Sequence, residues 1–361
     1  PAPDLQAVWH HMSLRFVPDR RTFFKGVSKL PAATWLLRGA DGILRSERYW
    51  APDFRRKLDG GEEEIVEQLD QVLSEAVRAH LLSDVPVGSF LSGGIDSGLV
   101  TAMMAKALGR PFPAFSIGVR EQSFNELPWA RKVVERHGLL GRERIVEADL
   151  VELMPTMIRH LDEPADPFGA GVYLVAREAA REVKVALTGD GGDENFAGYD
   201  RFAGQRLVDY YAWLPAGLRR RLFGPLIALV PESFAYKSLA GRLRWLHAMS
   251  FHDAGERYAA SLGFLRFTDE HKRRLFTPAA RAALTETDSA AKVLVHFNSE
   301  RADELVDRML HTDLMTRLPD ELLPVADRMT MAHSLEARAP LLDQRVTEFA
   351  AAIPGALKLK G

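Results

Sequence analysis

The stretch Val87-Gly88-Ser89-Phe90-Leu91-Ser92-Gly93-Gly94-Ile95-Asp96-Ser97 decides how this chain is read. An apolar strand runs into a Ser-Gly-Gly turn and then into a helix. The two glycines let the backbone come close to a ligand, and the first helical N–H groups have no intrahelical partners. Such N–H groups make an anion site. A G-x-x-x-x-G-K-[ST] phosphate loop would place a lysine after its glycines, but here Asp96 stands at the helix start and no lysine follows. A carboxylate beside phosphates makes sense with Mg²⁺ between them, because that ion is held by one or two carboxylates plus phosphate oxygens. The alternative is an ordinary strand-to-helix turn in which the helix dipole stabilises Asp96 by about 0.3–1 kcal/mol. The stretch alone leaves both readings open.

Working outward, Ile65, Leu69, Val72, Leu73, Ala76 and Val77 mark a helix over Glu62 to His80 before the first strand. After the turn, Leu99, Val100, Met103, Met104, Ala107 and Leu108 form a second helical face, stopped by Gly109 and Pro111. Phe112 to Val119 reads as a strand, Asn125 to His137 as a helix and Arg144 to Glu147 as a third strand. A helix through Leu150 to Leu161 follows, then a loop with Asp162, Glu163, Asp166 and Pro167, and a helix over about Val172 to Arg181. Val183 to Thr188 is apolar enough for a buried parallel strand. This alternation predicts an α/β fold with a doubly wound parallel sheet. Directly after the last strand stands Gly189-Asp190-Gly191-Gly192-Asp193-Glu194. Ligands of open parallel sheets sit at the carboxyl ends of strands where the strand order reverses. If the two glycine-rich turns belong to neighbouring strands, Asp96 and Asp193 face one crevice and can share a Mg²⁺. Two such turns, each after a strand, favour the ligand reading.

Composition bounds the rest. A chain of 361 residues is expected to hold about two domains. The 47% hydrophobic content and mean hydropathy of −0.13 fit a globular protein with a sizeable core. The 47 Lys and Arg against 49 Asp and Glu give no whole-molecule field for nucleic acid or an anionic membrane. No apolar run approaches the roughly 18 residues of a transmembrane helix. There is no cysteine, which removes disulfides, thiolate metal sites and thiol nucleophiles from these residues. The expectation is a cytoplasmic enzyme acting on small molecules, without nucleic acid or membrane as partner.

Residues 1–57 do not read as a self-sufficient domain: strand-like pieces at Thr34 to Leu37 and Ser46 to Trp50 alternate with Pro, Gly and Asp turns, and His10 and His11 read as surface or half-buried histidines. From Tyr199 to about Ala290 the chain is helical and basic, with Arg219-Arg220-Arg221 and aromatics such as Trp213, Trp245 and Tyr258. A stacking, basic nucleic-acid surface is one reading, and interspersed acids favour a helical subdomain with solvated arginines. Asp327, Arg328, Glu336 and Arg338 are too many charges for a plain core helix and are expected to pair where buried.

At this point the sequence resembles the synthetase domain of the asparagine synthetase type of glutamine-dependent amidotransferase, over most of residues 20–353. Ser92-Gly93-Gly94-Ile95-Asp96-Ser97 is similar to the pyrophosphate loop of the ATP pyrophosphatase superfamily. Thr188 to Glu194 with Gly198-Tyr199 resembles the family's second turn, and Asp327-Arg328-Met329-Thr330-Met331 through Leu342-Asp343 its helical signature. The resemblance implies residues 1–57 as the end of a glutaminase domain with its linker, and 58–361 as an ATP-dependent synthetase domain, with an α/β core over about 62–200 and a helical part over about 201–361. It implies an ATP- and Mg²⁺-dependent ligase that adenylates a carboxylate, aspartate foremost, and then admits ammonia derived from glutamine, giving asparagine, AMP and pyrophosphate. A homodimer is among the assemblies it implies.

Carried over residue by residue, the resemblance implies that Ser92, Gly93, Gly94, Asp96 and Ser97 hold the pyrophosphate end of ATP and that Thr188 is also ATP-binding. Leu91, Ile117 and Gly189 line the adenosine pocket, Asp96 and Asp193 take the Mg²⁺, and Asp190 joins those two as a catalytic position. The departures are as informative. The family's amino-terminal cysteine is absent, and the family's lysine would fall shortly beyond Gly361, so the sequence reads as a segment of a longer protein. Asp190 stands where better-studied members have glutamate, Val325 where a lysine is frequent, and residues 167–171 lack an arginine that some members place near the acceptor. The alternatives are a family relative acting on a sugar, peptide or β-lactam precursor, or another ATP pyrophosphatase such as a tRNA-modifying thiolase or an argininosuccinate synthase relative.

Overall fold

The computed structural model describes residues 2–120, 125–146, 149–164, 167–231, 238–262 and 267–359. They form two compact units, one assembled from Pro1–Trp50, Ala197–Thr316 and Lys358–Gly361, the other from Ala51–Phe196 and Arg317–Leu357.

In the first unit, a helix Leu5–Leu14 opens the chain, capped by the Asp4 carboxylate, which accepts from the N–H groups of Gln6 and Ala7. The sequence reading had no helix here. Its signal is modest, an Asp followed by Leu5, Ala7 and Val8, and its stability comes from distant partners. Trp9 donates its indole N–H to the Thr287 carbonyl at 2.8 Å, and Gln6 bonds the backbone of residues 285 and 286. The two strand-like pieces are strands β1 (Thr34–Arg38) and β2 (Leu44–Arg48), which pair as an antiparallel hairpin. The remaining helices surround a stack of Phe202, Tyr258 and Phe297, with ring centroids 6.3 Å and 5.7 Å apart.

The second unit is the predicted doubly wound α/β domain. Strands β3 (Val87–Phe90), β4 (Pro113–Gly118), β5 (Leu140–Ile145), β6 (Val185–Leu187) and β7 (Glu336–Arg338) make one sheet in the order β5-β4-β3-β6-β7. Every pairing is parallel. Side chains alternate between faces. Ala114, Val185 and Leu187 join Leu73, Val77, Val100, Met104 and Ala130 from helices on one side, whereas Phe115 and Ala186 join Ala176, Ala179 and Leu335 on the other. The chain steps outward from β3 to β4 and β5, then returns to β6 and β7 on the far side, so the strand order reverses between β3 and β6.

Three local readings shift. The third strand begins at Leu140 rather than Arg144, and Glu147 lies outside the described residues. The helix expected from Val172 spans Pro167–Ala179, while Asp166 of the preceding loop lies outside the described residues. Glu336–Arg338 is an edge strand. Its charges conceal it: Arg338 binds Glu336 at 2.7 Å and reaches the carbonyls of His80 and Leu82 at 2.8 Å each. Asp327 is exposed, and Arg328 donates to the Leu161 carbonyl.

Candidate functional site

Both glycine-rich turns leave the carboxyl ends of β3 and β6, which are direct neighbours at the switch point. This is where ligands of open parallel sheets bind.

The first turn is shaped by its two serines. Ser92 donates its N–H to Ser97 Oγ at 3.2 Å, the two hydroxyls stand 3.0 Å apart, and Gly94 N–H donates to Ser92 Oγ at 3.1 Å. Gly94 then starts the helix Ile95–Leu108 without a side-chain cap. Gly93 has φ of +98°, and a Cβ there would strike the Glu126 carbonyl oxygen. Only glycine satisfies both conditions.

The second turn is fixed from both ends. Thr188 N–H donates to the Arg338 carbonyl at 2.8 Å, and its hydroxyl donates to Asp190 Oδ2 at 2.7 Å. Gly191, with φ of +90°, lies against Leu342. The short helix Gly192–Phe196 is tied down by Asn195, whose amide donates to the Leu341 carbonyl at 2.8 Å. Sequence reasoning missed Asn195 and Leu342 as supports, because their partners are about 150 positions apart in the chain.

The turns touch. A Cβ on Gly189 would lie 2.5 Å from the Ser97 nitrogen and 2.9 Å from the Asp96 carbonyl carbon. A Cβ on Gly192 would overlap the Asp96 carboxylate. These glycines therefore act by what they lack, giving the Asp96 carboxylate a place directly against the second turn. Burial, and then the charge of Asp193, push the Asp96 carboxyl up to about 6. Burial also pushes the Asp190 carboxyl up, opposed by the bond from Thr188.

The structure thus gathers Ser92, Gly93, Gly94, Asp96, Ser97, Gly189 and Asp193 around the contact of the two turns, with Thr188 and Asp190 beside it. Ile117 lies at the carboxyl end of β4, half-buried, on the strand next to β3. Leu91 is 1% exposed and packs in the core, so its side chain faces away from any ligand. Its carbonyl accepts from Ser116 Oγ at 2.7 Å. Among the described residues no group of three or more His, Asp or Glu is arranged to hold a metal ion. An open cavity of about 520 Å³ lies elsewhere in this unit, lined by His80, Leu82, Glu336 and Arg338, and none of the nominated residues faces it.

The family model for asparagine synthase matches residues 68–361. A glutamine-hydrolysing asparagine synthetase of Bacillus subtilis is 30% identical over 359 residues, covering 99% of this chain and 54% of the relative. A putative asparagine synthetase of Mycobacterium tuberculosis is 34% identical over 361 residues, covering 99% and 53%. An amidase of Penicillium rubens is 28% identical over 403 residues, covering 99% and 57%. The chain spans about half the length of the curated relatives it matches.

Proposed function

The chain belongs to the asparagine synthase family, and on that premise we propose that it carries out ATP-dependent amide synthesis, with aspartate as acceptor and asparagine as product. The observation that carries this reading is the contact of two acidic, glycine-rich turns at the sheet's switch point.

In the proposed reaction an acceptor carboxylate oxygen attacks the α-phosphorus of ATP, and the bond to pyrophosphate breaks. Ammonia then attacks the acyl carbon, AMP leaves, and the amide remains. Negative charge grows on the departing pyrophosphate, so fixed N–H groups aimed at it lower the barrier. The backbone of Ser92 to Ser97, held by its own hydroxyls, supplies such groups without reorganising. The half-buried Asp190 is held by Thr188 and stands as the third catalytic carboxylate of this reading.

Asp96 and Asp193 fit a hard divalent cation. They are two interacting carboxylates, Asp96 being pushed up by burial and then by Asp193, and Gly192 leaves the Asp96 carboxylate room to lie against the second turn. These two residues would hold Mg²⁺, whose remaining ligands would be phosphate oxygens and water. When bound, the ion would offset the phosphate charge.

The glutamine-hydrolysing relatives support glutamine as the ammonia source, hydrolysed elsewhere in a longer polypeptide. The β1–β2 hairpin supports residues 1–57 as the end of such a domain, since Leu36, Leu37 and Leu44 are all exposed on it, and a lone two-stranded hairpin is at best marginally stable. Among the described residues no helix is long and apolar enough to cross a membrane; a homodimer and a cytoplasmic location complete the proposal.

A second reading keeps the adenylation and changes the acceptor. Val325 packs with Met157, Ala170 and Met329, and a Cβ on Gly169 would lie 3.3 Å from it. That position is apolar, and an amidase stands among the relatives. ATP–pyrophosphate exchange over a panel of carboxylic acids separates the two. Exchange driven by aspartate supports the first reading, exchange driven by another acid alone supports the second, and exchange with none removes both.

A further inference from the structure

The helical unit carries an exposed apolar surface that the proposed chemistry does not use. On the helix Asp200–Ala212 and just beyond it, Leu207, Tyr210 and Trp213 point to solvent at 60%, 66% and 86% exposure. The next helical run, residues 216–228, is interrupted by a π-turn at Arg219–Phe223, closed by the Gly224 N–H on the Arg219 carbonyl. The wider turn keeps Leu218, Leu222 and Leu226, spaced by four, close to one line, and all three are exposed, as are Leu229 and Leu239. The opposite side of this run packs inward. Arg219 is buried, donates to the carbonyls of Leu214 and Ser250 and lies over the Phe251 ring, while Phe223 meets Tyr211 edge-on.

The charge around this surface is net positive, the half-exposed Asp209 being paired with Arg257. Tyr210 to Pro231 contains three arginines and no aspartate or glutamate. Arg220, Arg221 and, on the helix Leu239–Met249, Arg242 are exposed. A monomer seldom leaves so many large apolar side chains exposed on two successive helical runs unless something covers them. A second copy would bring one net positive face against another. A nucleic acid would find stacking rings but also a row of leucines that offers it nothing. Leucines beside an interfacial Trp and Tyr, flanked by arginines, match an anionic lipid surface on every count.

We propose that this face, formed by Leu207, Tyr210, Trp213, Leu218, Leu222 and Leu226 with Arg220 and Arg221, is a peripheral docking surface for anionic membranes. The face lies on the bilayer, and among the described residues no helix is long and apolar enough to span it. The surface is separate from the residues nominated for amide synthesis, so the proposal stands or falls independently of that function.

The test is co-sedimentation of the full-length protein with vesicles of phosphatidylcholine alone and of phosphatidylcholine mixed with phosphatidylglycerol. Binding is expected to the mixed vesicles and to fall with added salt. Each exposed arginine raises the partition about fivefold, so Arg220→Gln with Arg221→Gln lowers it by roughly twenty- to thirtyfold. Leu222→Asp with Leu226→Asp abolishes it. Circular dichroism verifies that these exposed substitutions leave the fold intact. Absence of binding to the mixed vesicles overturns the proposal, as does wild-type binding by both variants. A dimer by light scattering that Leu222→Asp dissociates, without vesicle binding, assigns the face to a second copy. Oligonucleotide binding in place of vesicle binding assigns it to nucleic acid.

Discussion

The core of the helical unit and the switch point of the sheet treat carboxylates in opposite ways. In the helical unit Asp313 is 0% exposed, paired with Arg201 and accepting from the Tyr258 hydroxyl at 2.5 Å. Burial works against the Arg201 charge, but Asp313 and the neighbouring tyrosines together outweigh it and raise the guanidinium's pKa; burial and Asp313 raise that of Tyr258. At the switch point, Asp96 is half-exposed and the charge acting on it is a second carboxylate, Asp193. A matched pair inside a core is complete in itself. Two like charges held together at a sheet edge oppose folding, and that arrangement makes sense for what it receives from outside.

The largest expected effect follows from the first of these. Asp313→Ala leaves Arg201 charged in the core without its carboxylate, a loss of about 3–5 kcal/mol in stability, read as a lower urea midpoint with unchanged slope. At the switch point the expectation reverses. Asp96→Asn removes a repulsion, so its midpoint is equal to or above wild type, while turnover in pyrophosphate exchange drops on the order of 10²-fold, as when one group aimed at developing charge is removed. Asp193→Asn is expected to act alike. If Asp96→Asn proves as destabilising as Asp313→Ala, the two regions do not differ in kind, and the switch-point pair is merely structural.

How much of this was legible in the sequence follows the same division. The sheet was readable because buried parallel strands are short apolar runs between glycine-stopped helices, as at Val87–Phe90 and Val185–Leu187. The two turns were readable because the glycines and acids that give them purpose are consecutive. What escaped depends on residues far apart in the chain. Glu336–Arg338 looks too charged for a strand, until Arg338 is seen to lie on carbonyls more than 250 positions away. Lys272 sits in a charged run, Glu270 to Arg274, that reads as solvated. It is fully buried, 2.9 Å from Asp269 and over the Trp9 ring at 4.1 Å from its centroid. His10, expected at or near the surface, is 0% exposed, with Nδ1 2.9 Å from Ser289 Oγ and Nε2 2.9 Å from the Gln6 amide nitrogen. Gln6 lies one helical turn away, but no local pattern announces the partner that arrives from 279 residues away.

His10 offers a smaller, pH-dependent test of the helical unit. Burial, and then the positive charge of Lys292, lower its pKa from 6.5 to about 4. The folded state therefore keeps the ring neutral, while the unfolded chain takes up a proton below about pH 6.5. Stability from this group is fully present above that pH and is lost as the pH falls from 6.5 to 4, by about 3 kcal/mol. His10→Gln is expected to flatten this part of the pH dependence of thermal stability, whatever it does to stability at pH 8. A slope equal to wild type between pH 6.5 and 4 places the acid sensitivity elsewhere.

The smallest effect concerns the helix that the sequence reading lacked. Asp4 caps Leu5–Leu14 by accepting from Gln6 and Ala7, and it also meets Arg21 at 3.2 Å. Loss of an Asp cap costs about 1 kcal/mol, and the ion pair with the partly exposed Arg21 adds at most a few tenths. Asp4→Ala is thus expected to lower stability by about 1 kcal/mol, and Asp4→Ser, which keeps a capping oxygen but no charge, to recover most of it. Full recovery in Asp4→Ser at both low and high salt means that the cap is the whole of the effect. If recovery fails and the deficit shrinks with salt, Asp4 acts through Arg21, and the first helix is held by charge at its start as Asp313 is held by charge in the core.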